Sequence, residues 1–298
     1  MAASIPVGLI YNTAAGTGPH WRARPTPDAV ALALREAGGE PEMLPTRGPG
    51  DGVARGREAA ARFPVVAVLG GDGTVNEVIN GVVAAGGNAR LLILPGGSVN
   101  VLARDLRVPL DPRAAAGLLR HGAPRRLYLG RAGRRYFALM AGAGLDASIV
   151  RAVAGGGLKR HVGSLAFVLE GLRHSRGYAF PRLRVDSEAG AVEGYLAIVG
   201  NSPGYAGYFS VTPKADAGRP GFQVAVCTSR RALKYFYFTG LALARRLERS
   251  HDFVYLDTSR LRISSESPAW VQVDGEPHEA LPMDFVAGGA SLEFLAPA

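Results

Sequence analysis

The chain has 298 residues, of which 47% are hydrophobic and 20% charged, so it is long enough for two globular domains, and this composition excludes a disordered chain. Its single cysteine, Cys227, excludes an internal disulfide and fits a reducing compartment. The formal net charge of +9 comes largely from arginine, which suits nucleotides, anionic membranes or nucleic acid without choosing among them.

The N-terminal stretch MAASIPVGLIYNT lacks the basic segment and long apolar core of a targeting signal. No run elsewhere approaches the roughly 20 apolar residues of a membrane span. We therefore expect a cytoplasmic protein. Within this stretch, the apolar run Pro6–Tyr11 predicts a first buried strand, and small residues follow it from Asn12 to Gly18.

The next part of the chain alternates between helical and strand patterns. Helices are predicted at Arg24–Ala37 and Asp51–Phe63, and strands at Pro41–Thr46, Val65–Leu69 and Leu91–Leu94. Such alternation is typical of a doubly wound parallel sheet, which binds ligands at the carboxyl ends of its strands. Asn12, Thr46 and the turn at Gly70 would lie at such ends.

A glycine turn follows the central strand. Gly70, Gly71 and Gly73 leave backbone N–H groups free to approach a phosphate, and a helix is predicted to begin near Thr74. Asp72 among these glycines would engage a magnesium ion or accept a proton. The alternative is an ordinary aspartate turn at the end of a strand.

A second glycine turn follows the next strand, in the sequence PGGSVNVLARDL from Pro95 to Leu106. It contains Gly97, Ser98 and Asn100, and it should lie beside the first turn. Ser98 would either cap the following helix or donate to a phosphate. No Gly-Lys pair occurs in the chain, which excludes a Walker-type phosphate loop.

The periodicity changes at Arg125, where we place a domain boundary. Short strands with turns rich in Gly, Pro and Ser predict a β-sandwich or barrel-like second domain. These strands are Leu127–Gly130, Tyr136–Ala141, Arg182–Val185, Glu193–Val199, Gly221–Thr228, Phe253–Asp257, Arg260–Ser264 and Trp270–Val273. Two predicted helices, Ser164–Arg173 and Arg231–Arg249, combine an apolar face with basic residues and would either pack on the sheet or contact a membrane.

Two further motifs lie in this second half. GAGLDA, from Gly142 to Ala147, matches a dinucleotide fingerprint, but no βαβ unit with a suitably placed acid follows, so we interpret it as a tight turn entering a helix. Asp274 and Glu276 follow the strand Trp270–Val273 and place two carboxylates at one tip. They would suit a metal-bound triphosphate or a hydroxyl awaiting deprotonation, although the same residues alone make an ordinary hairpin turn.

Together these motifs resemble the diacylglycerol kinase catalytic-domain family, the bacterial lipid kinases that are similar to sphingosine and ceramide kinases. The glycine-aspartate motif is shared with NAD kinases and phosphofructokinases, whereas the ordered series is specific. The matching residues are Asn12 with Gly16, Thr46, GGDGTVNEVING, PGGSVNVLAR, GAGLDA, GSLAFVLEGL, NSPGYAGY and the late VDGE.

The resemblance implies a phosphofructokinase-like α/β domain at 1–125 that binds ATP, to which a strand near 290–298 returns. A β-rich lipid domain at 126–289 would complete the fold, with the active site in the cleft between the two. Asp72, Asp274 and Glu276 would be catalytic, with Asp72 and Asp274 contacting Mg²⁺. The nucleotide would be bound by Asn12, Gly16, Thr46, Gly70, Gly71, Asp72, Gly73, Thr74, Gly97, Ser98 and Asn100.

Two residues depart from the family pattern. Val101 replaces a carboxylate that many members carry after the motif asparagine, and Pro220 replaces the aspartate of an Asp-Gly pair that supports a structural magnesium ion. The implied activity is ATP-dependent phosphorylation of a lipid hydroxyl, with peripheral contact to anionic membrane and a homodimer left open.

Two other functions remain. A soluble-substrate kinase of the NAD or sugar type would use the same phosphate cradle. A non-catalytic lipid- or nucleotide-binding regulator would fit the two departures. Nucleic-acid binding is not expected, because the basic residues are dispersed and no aromatic residues interleave them.

Overall fold

The computed structural model describes residues 4–12, 25–155, 177–205 and 209–298. Gly16 and the predicted helix Ser164–Arg173 lie outside these residues. The chain divides into two compact units, Met1–Tyr128 with Ala290–Ala298, and Leu129–Gly289. The sequence pattern places the boundary at residue 125, and the resemblance implies that the chain returns at about residue 290.

Unit 1 contains a parallel sheet, as the alternation of elements predicts. Its strands are β1 (Ile5–Asn12), β2 (Gly39–Thr46), β3 (Val65–Gly70) and β4 (Arg90–Pro95). They lie in the order β2-β1-β3-β4, and the end of the last strand of the chain, Met283–Ala296, adds Phe294 parallel to Leu91. Every residue of β3 is buried, which explains its uninterrupted apolar sequence.

The helices of unit 1 connect these strands, and two of them pack at unusually close range. They are α1 (Pro27–Glu36), α2 (Asp51–Arg62), α3 (Asp72–Ala84), α4 (Val101–Asp105), α5 (Pro112–Ala116) and α6 (Leu118–His121). A Cβ on Gly81 of α3 would lie 2.2 Å from the Val53 carbonyl oxygen of α2, and one on Gly56 would lie 2.7 Å from the Val78 carbonyl oxygen. Glycine at these positions therefore sets the close approach of α2 and α3, and with it the position at which α3 begins.

The C-terminal segment is also tied to unit 1 by charge. Glu293 accepts hydrogen bonds from the Arg126 guanidinium at 3.3 Å and from Arg90 at 3.2 Å. These hydrogen bonds, that from Arg126 first, lower the pKa of Glu293. Because both arginines are exposed and Glu293 is only partly buried, these ion pairs contribute little to stability and serve mainly to orient the strand.

Unit 2 is mostly β and is built from two antiparallel sheets, which confirms the predicted mainly β domain. One sheet has the order β14-β13-β10-β7-β16-β17, and the other contains β18-β15-β8-β9. The strands from β5 onward are β5 (Ala123–Ala132), β6 (Arg135–Phe137), β7 (Met140–Gly144), β8 (Leu183–Ser187), β9 (Gly190–Gly194), β10 (Leu196–Gly200), β11 (Gly204–Tyr205), β12 (Phe209–Ser210), β13 (Phe222–Cys227), β14 (Phe253–Thr258), β15 (Arg260–Ser265), β16 (Trp270–Val273), β17 (Glu276–Ala280) and β18 (Met283–Ala296).

A single apolar core joins these two sheets. Val224 and Val199 of the first sheet and Leu261, Ile263 and Phe285 of the second belong to one buried cluster. Alternate residues of each strand point into this core, so unit 2 is a β-sandwich. Two strands predicted as continuous are each divided in two, at residues 138–139 and at residue 195. Gly194 marks the second division, because a Cβ there would lie 2.5 Å from the Cys227 carbonyl oxygen.

Two α-helices of unit 2 lie among the described residues, α7 (Leu145–Gly155) and α8 (Lys234–Leu243), followed by a 3₁₀ turn at Leu247–Arg249. The predicted helix Arg231–Arg249 is therefore too long. It ends because Arg245 adopts a left-handed conformation (φ 54°), and the N–H groups of Arg245 and Arg246 turn back to the carbonyls of Ala242 and Leu241. No helix in the described part of the chain is long and apolar enough to cross a membrane.

Candidate functional site

The carboxyl ends of the strands of unit 1 gather most of the predicted nucleotide-binding residues. Asn12 lies directly beside Thr46 in the register of β1 and β2, Tyr11 lies beside Leu69, and Gly70 lies beside Pro95. Both glycine turns therefore leave the same edge of the sheet, next to Asn12 and the buried Thr46. This edge is where a doubly wound sheet binds its ligand.

The two glycine turns contact each other through their backbones. The Gly96 N–H donates to the Gly70 carbonyl at 2.8 Å. A Cβ on Gly97 would lie 2.5 Å from the Gly71 Cα, and a Cβ on Gly96 would lie 3.0 Å from the Gly70 Cα. No other residue type fits at Gly97 without separating the turns, so they form one glycine-lined surface.

Helix α3 begins at this surface. Gly71 is its N-cap residue and contributes no side chain, and Asp72, Gly73 and Thr74 form its first turn. The first N–H groups of a helix have no acceptor within the helix, and the dipole of this 13-residue helix favours negative charge at its start. The first turn and the glycine surface together are thus suited to bind phosphate oxygens.

Asp72 links the two turns. Its Oδ2 accepts the Val101 N–H at 3.1 Å, and its Oδ1 accepts the Leu102 N–H at 3.2 Å, so the carboxylate caps α4. Burial raises the pKa of Asp72, and these backbone hydrogen bonds oppose the rise. The capping role considered for Ser98 is therefore filled by Asp72, whereas Ser98 is exposed at the tip of the second turn.

Asn100 holds the second turn in shape. It adopts a left-handed conformation (φ 53°, ψ 58°), in which its Oδ1 accepts the Gly97 N–H at 2.8 Å and its Nδ2 donates to the Gly97 carbonyl at 2.9 Å. Both polar atoms of the side chain therefore bind within the turn. The structure gives Asn100 a bracing role, because it fixes Gly97 in the surface that the two glycine turns form.

Glu77 is a supporting residue that the sequence reasoning missed. Its carboxylate accepts the N–H groups of Gly50 at 2.8 Å and Gly52 at 2.9 Å, at the start of α2. It thereby fixes the segment that follows Thr46 to the helix that follows the first glycine turn. The only signal for it in the sequence is its place in the motif NEVING.

In unit 2, Asp274 and Glu276 lie on the hairpin between β16 and β17. Asp274 and Gly275 both have positive φ (48° and 81°), as a two-residue type I′ turn requires. The Asp274 carboxylate accepts three consecutive backbone N–H groups, those of Ala138, Leu139 and Met140, each at 3.0 Å. The hairpin is thus more than a surface turn, because its aspartate is anchored in a nest of amides.

A buried polar network supports this hairpin from behind. The Oε1 of Gln272 accepts the Gly275 N–H at 2.8 Å, and its Nε2 donates to the Asp146 carboxylate at 2.7 Å. Tyr205 donates its hydroxyl to the other oxygen of Asp146. Burial raises the pKa of Asp146, and the hydrogen bonds from Tyr205 and Gln272 counteract the rise.

This network also explains the GAGLDA motif. A Cβ on Gly142 would lie 1.7 Å from an oxygen of Asp146, and Gly144 has a left-handed φ of 81° at the point where β7 turns into α7. The glycines make room for a buried aspartate and a tight turn. Asp146 and Gln272 were not predicted as site residues.

The carboxylates can be tested against the expected magnesium ion. Within the described ranges, no group of three or more His, Cys, Asp or Glu side chains is close enough to bind a metal. Mg²⁺, however, is usually held by one or two carboxylates together with substrate phosphates and water. Asp72 in unit 1 and, separately, the pair Asp274 and Glu276 in unit 2 have the donor chemistry for such an ion. A carboxylate has about four lone-pair sites, so the two hydrogen bonds to Asp72 and the three to Asp274 leave acceptor capacity on each.

Comparisons with known proteins give consistent results. The model of the family described as "Diacylglycerol kinase catalytic domain" matches residues 6–132. Diacylglycerol kinases of Staphylococcus aureus strains JH9 and Newman are each 26% identical over 292 residues, which cover 97% of this chain and 91% of theirs.

Solved structures establish the fold. A structure described as a diacylglycerol kinase from Bacillus anthracis strain Sterne has a TM-score of 0.72 at 21% identity, and another from the same organism has a TM-score of 0.76 at 23% identity. Each covers 98% of this chain and 97% of the other. The chain is a kinase, and its residues 6–132 match the model of the diacylglycerol kinase catalytic-domain family.

Proposed function

We propose that the protein is a lipid kinase that transfers the γ-phosphoryl group of ATP to a hydroxyl of diacylglycerol or a related lipid. The observation that carries this proposal is the contact between the two glycine turns at the start of α3, with Gly97 lying where no Cβ fits. Such a surface serves phosphate groups and has no evident use in a protein that binds only apolar ligands.

The nucleotide is assigned to unit 1. Gly70, Gly71, Gly73 and Thr74 present backbone N–H groups to its phosphates, and the exposed hydroxyl of Ser98 adds a donor from the second turn. Asn12 and Thr46 lie at the neighbouring strand ends and would contact the remainder of the nucleotide. ATP is preferred to a bare phosphate because the family of residues 6–132 is a kinase family.

Magnesium would be held by carboxylates of the chain together with the phosphates. Asp72, at the first turn of α3, and Asp274, in its amide nest, are the proposed contacts. When bound, the ion neutralises the charge that develops on the transferred phosphoryl group. The backbone N–H of Val101 donates to Asp72 and orients its carboxylate.

Glu276 is the proposed general base. The three N–H groups that bind Asp274 hold its carboxylate in place, which suits a fixed ligand better than a group that must gain and lose a proton in each turnover. Glu276 is the other carboxylate of the hairpin, one residue beyond Gly275, and the fixed turn presents it at a defined position. Asp146 and Gln272 act only by holding that turn.

The reaction follows from these roles. The hydroxyl oxygen of the lipid attacks the γ-phosphorus in line with the bridging oxygen of ADP, that phosphorus–oxygen bond breaks, and Glu276 accepts the hydroxyl proton. The glycine surface positions the γ-phosphate and stabilises its charge, and both effects lower the barrier.

The lipid acceptor is supported by the relatives, which are named diacylglycerol kinases. Peripheral contact with an anionic membrane would bring the enzyme to such an acceptor, and the excess of arginine favours it. A homodimer is compatible with this function but is not required by it.

The test is transfer of ³²P from labelled Mg-ATP to a panel of lipids in mixed micelles, with NAD and sugar phosphates offered in parallel. Labelled diacylglycerol or a related lipid is the expected product. Label on a soluble acceptor would be consistent with the proposed phosphate-binding surface but would refute the lipid acceptor. ATP binding without transfer to any acceptor would refute the catalytic proposal.

A further inference from the structure

Helix α8 of unit 2 exposes a stripe of large apolar side chains. Among the described residues, eight large hydrophobic side chains are exposed, and four of these belong to α8 and the turn before it. They are Leu233 (73% exposed), Phe236 (40%), Tyr237 (60%) and Leu243 (59%).

The spacing of these four residues places them on one face. Positions 233, 236, 237 and 243 share a side of a helix with 3.6 residues per turn, and the exposed Gly240 and Ala244 lie on the same side. The opposite side holds Tyr235, Phe238 and Ala242, which are buried. The helix is therefore apolar on both sides, with one side buried against the unit and the other carrying exposed apolar side chains.

Exposed arginines flank this stripe. Arg230 and Arg231 come immediately before the helix, and Arg245, Arg246 and Arg249 come immediately after it. The acidic residues of the following segment are engaged, since Asp252 pairs with Lys234 at 2.8 Å and Glu248 lies 3.7 Å from Lys214. The apolar stripe is thus bordered at both ends by positive charge.

We infer that this stripe, from Leu233 to Leu243 with its flanking arginines, is the surface by which the protein binds an anionic lipid bilayer. Leucine and aromatic side chains enter the boundary between headgroups and acyl chains, where tyrosine is favoured because one end of its ring is polar. The arginines bind the anionic headgroups beside it. The inference adds a membrane-binding surface to the proposed lipid kinase activity and can be tested without that activity.

A second copy of the chain is the other occupant to consider. A stable dimer buries about 800 Å² on each partner. Four partly exposed side chains, at roughly 150–250 Å² for a fully exposed aromatic one, offer about 350–580 Å², which falls short of that area. Pairing two stripes would also bring two sets of arginines together. Charge and area therefore both favour the bilayer.

The test measures binding of the full chain to sedimented vesicles of phosphatidylcholine with about one third phosphatidylglycerol. Leu233→Gln combined with Tyr237→Gln should lower the partition coefficient by roughly tenfold or more, because two apolar anchors are lost. Glutamine keeps helix propensity, and both positions are exposed, so the thermal unfolding midpoint should not change. Leu32→Gln, at a position 55% exposed on α1 of unit 1, is the matched control and should bind as the wild type does.

Charge is tested by a second matched pair. Arg245 and Arg107 are both exposed, and both follow a helix in a left-handed conformation, with φ of 54° and 58°. Arg245→Gly should weaken vesicle binding by about fivefold, and Arg107→Gly should not weaken it. Raising the salt concentration should reduce the difference between wild type and Arg245→Gly, because it screens the headgroups.

Two results would overturn the inference. One is equal vesicle binding by the wild type and the Leu233→Gln/Tyr237→Gln variant. The other is a wild-type dimer, detected by light scattering, that becomes a monomer in this variant while vesicle binding is unchanged, which would assign the stripe to dimerisation. Failure of the proposed kinase activity would be separate, since Glu276→Gln should bind vesicles like the wild type even if no lipid is ever phosphorylated.

Discussion

Replacing Gly97 by alanine tests the contact between the two glycine turns most directly. The added Cβ would lie 2.5 Å from the Gly71 Cα and 2.8 Å from the Asn100 Oδ1. Carbon atoms pack best at about 3.5–4.0 Å, so the two turns would have to separate by about 1 Å. Neither neighbour can yield easily, because one is backbone and the other is the atom that accepts the Gly97 N–H.

A displacement of this size has a large effect on a positioned reaction. A shift of ~1 Å can cost about 10²-fold in rate, which corresponds to about 2.7 kcal/mol of transition-state stabilisation. We therefore expect Gly97→Ala to lower kcat/KM for ATP by about 100-fold. The assay is steady-state transfer of label from Mg-ATP to micellar lipid at varied ATP concentration.

Two controls separate loss of the surface from loss of the fold. Overpacking can itself cost about 1–3 kcal/mol of stability, so the unfolding midpoint must lie well above the assay temperature. Gly221→Ala adds the same methyl group at a position with no atom within 4 Å and should retain full activity. A Gly97→Ala enzyme that is folded and within threefold of wild-type kcat/KM would refute the assignment of the phosphate surface.

The remaining predictions concern the hairpin, its support and the helix terminus. Glu276→Gln should lower kcat by about 10²–10⁴-fold with little change in KM for ATP, as expected for loss of a general base, whereas Glu279→Gln on the same strand should remain near wild type; equal effects of the two would rule out this assignment. Asp274→Asn should reduce the free energy of unfolding by about 1–3 kcal/mol in urea titrations, because three backbone donors lose a charged acceptor; unchanged stability would show that the amide nest does not anchor the turn. The pKa of Asp146 is raised in the folded state, so the unfolded carboxyl, at about 3.9, ionises first as the pH rises. The contribution of Asp146 to stability therefore falls above about pH 4 until the folded pKa is passed. In urea titrations from pH 4 to 8, the stability of Asp146→Asn relative to wild type should rise over that range, and parallel curves would contradict the cause given for the shift. Arg245→Gly and Arg107→Gly should each raise the free energy of unfolding by about 0.5–1 kcal/mol through relief of the left-handed conformation, measured by thermal unfolding, so that a loss of vesicle binding by the former could not be ascribed to a damaged fold.

The sheet of unit 1 and the position of its two glycine turns could be predicted from local pattern. The apolar run of β3 followed at once by glycine indicates both a buried strand and the end of that strand. Because parallel strands end at one edge, the second glycine turn could be placed beside the first without any knowledge of its contacts. These features depend on residues near one another in the chain.

The partners of the charged groups could not be predicted in the same way. Asp72 binds an N–H 29 residues away, and Asp274 binds three that are 134–136 residues away, and no periodicity relates such positions. The role of Gln272 could not be predicted for a similar reason. A polar residue in a four-residue strand is expected on the surface, and only its hydrogen bond to the distant Asp146 explains why it is buried. The sequence pattern predicts a helix α8 that is too long. Arginine is a good helix former, so nothing in the sequence indicates the left-handed turn at Arg245.

The last strand of the chain has a consequence for how the protein is made. The parallel sheet of unit 1 receives its fifth strand from residues 290–296. The free edge of β4, which ends at Pro95, is therefore covered only after nearly 200 further residues have been translated. At ~5–20 residues per second this leaves an open, apolar sheet edge for roughly 10–40 s on each ribosome. Until then this edge is a target for chaperones or for pairing with a neighbouring nascent chain. A shortened C-terminus should therefore appear first as aggregation during expression, before any loss of catalysis is measured.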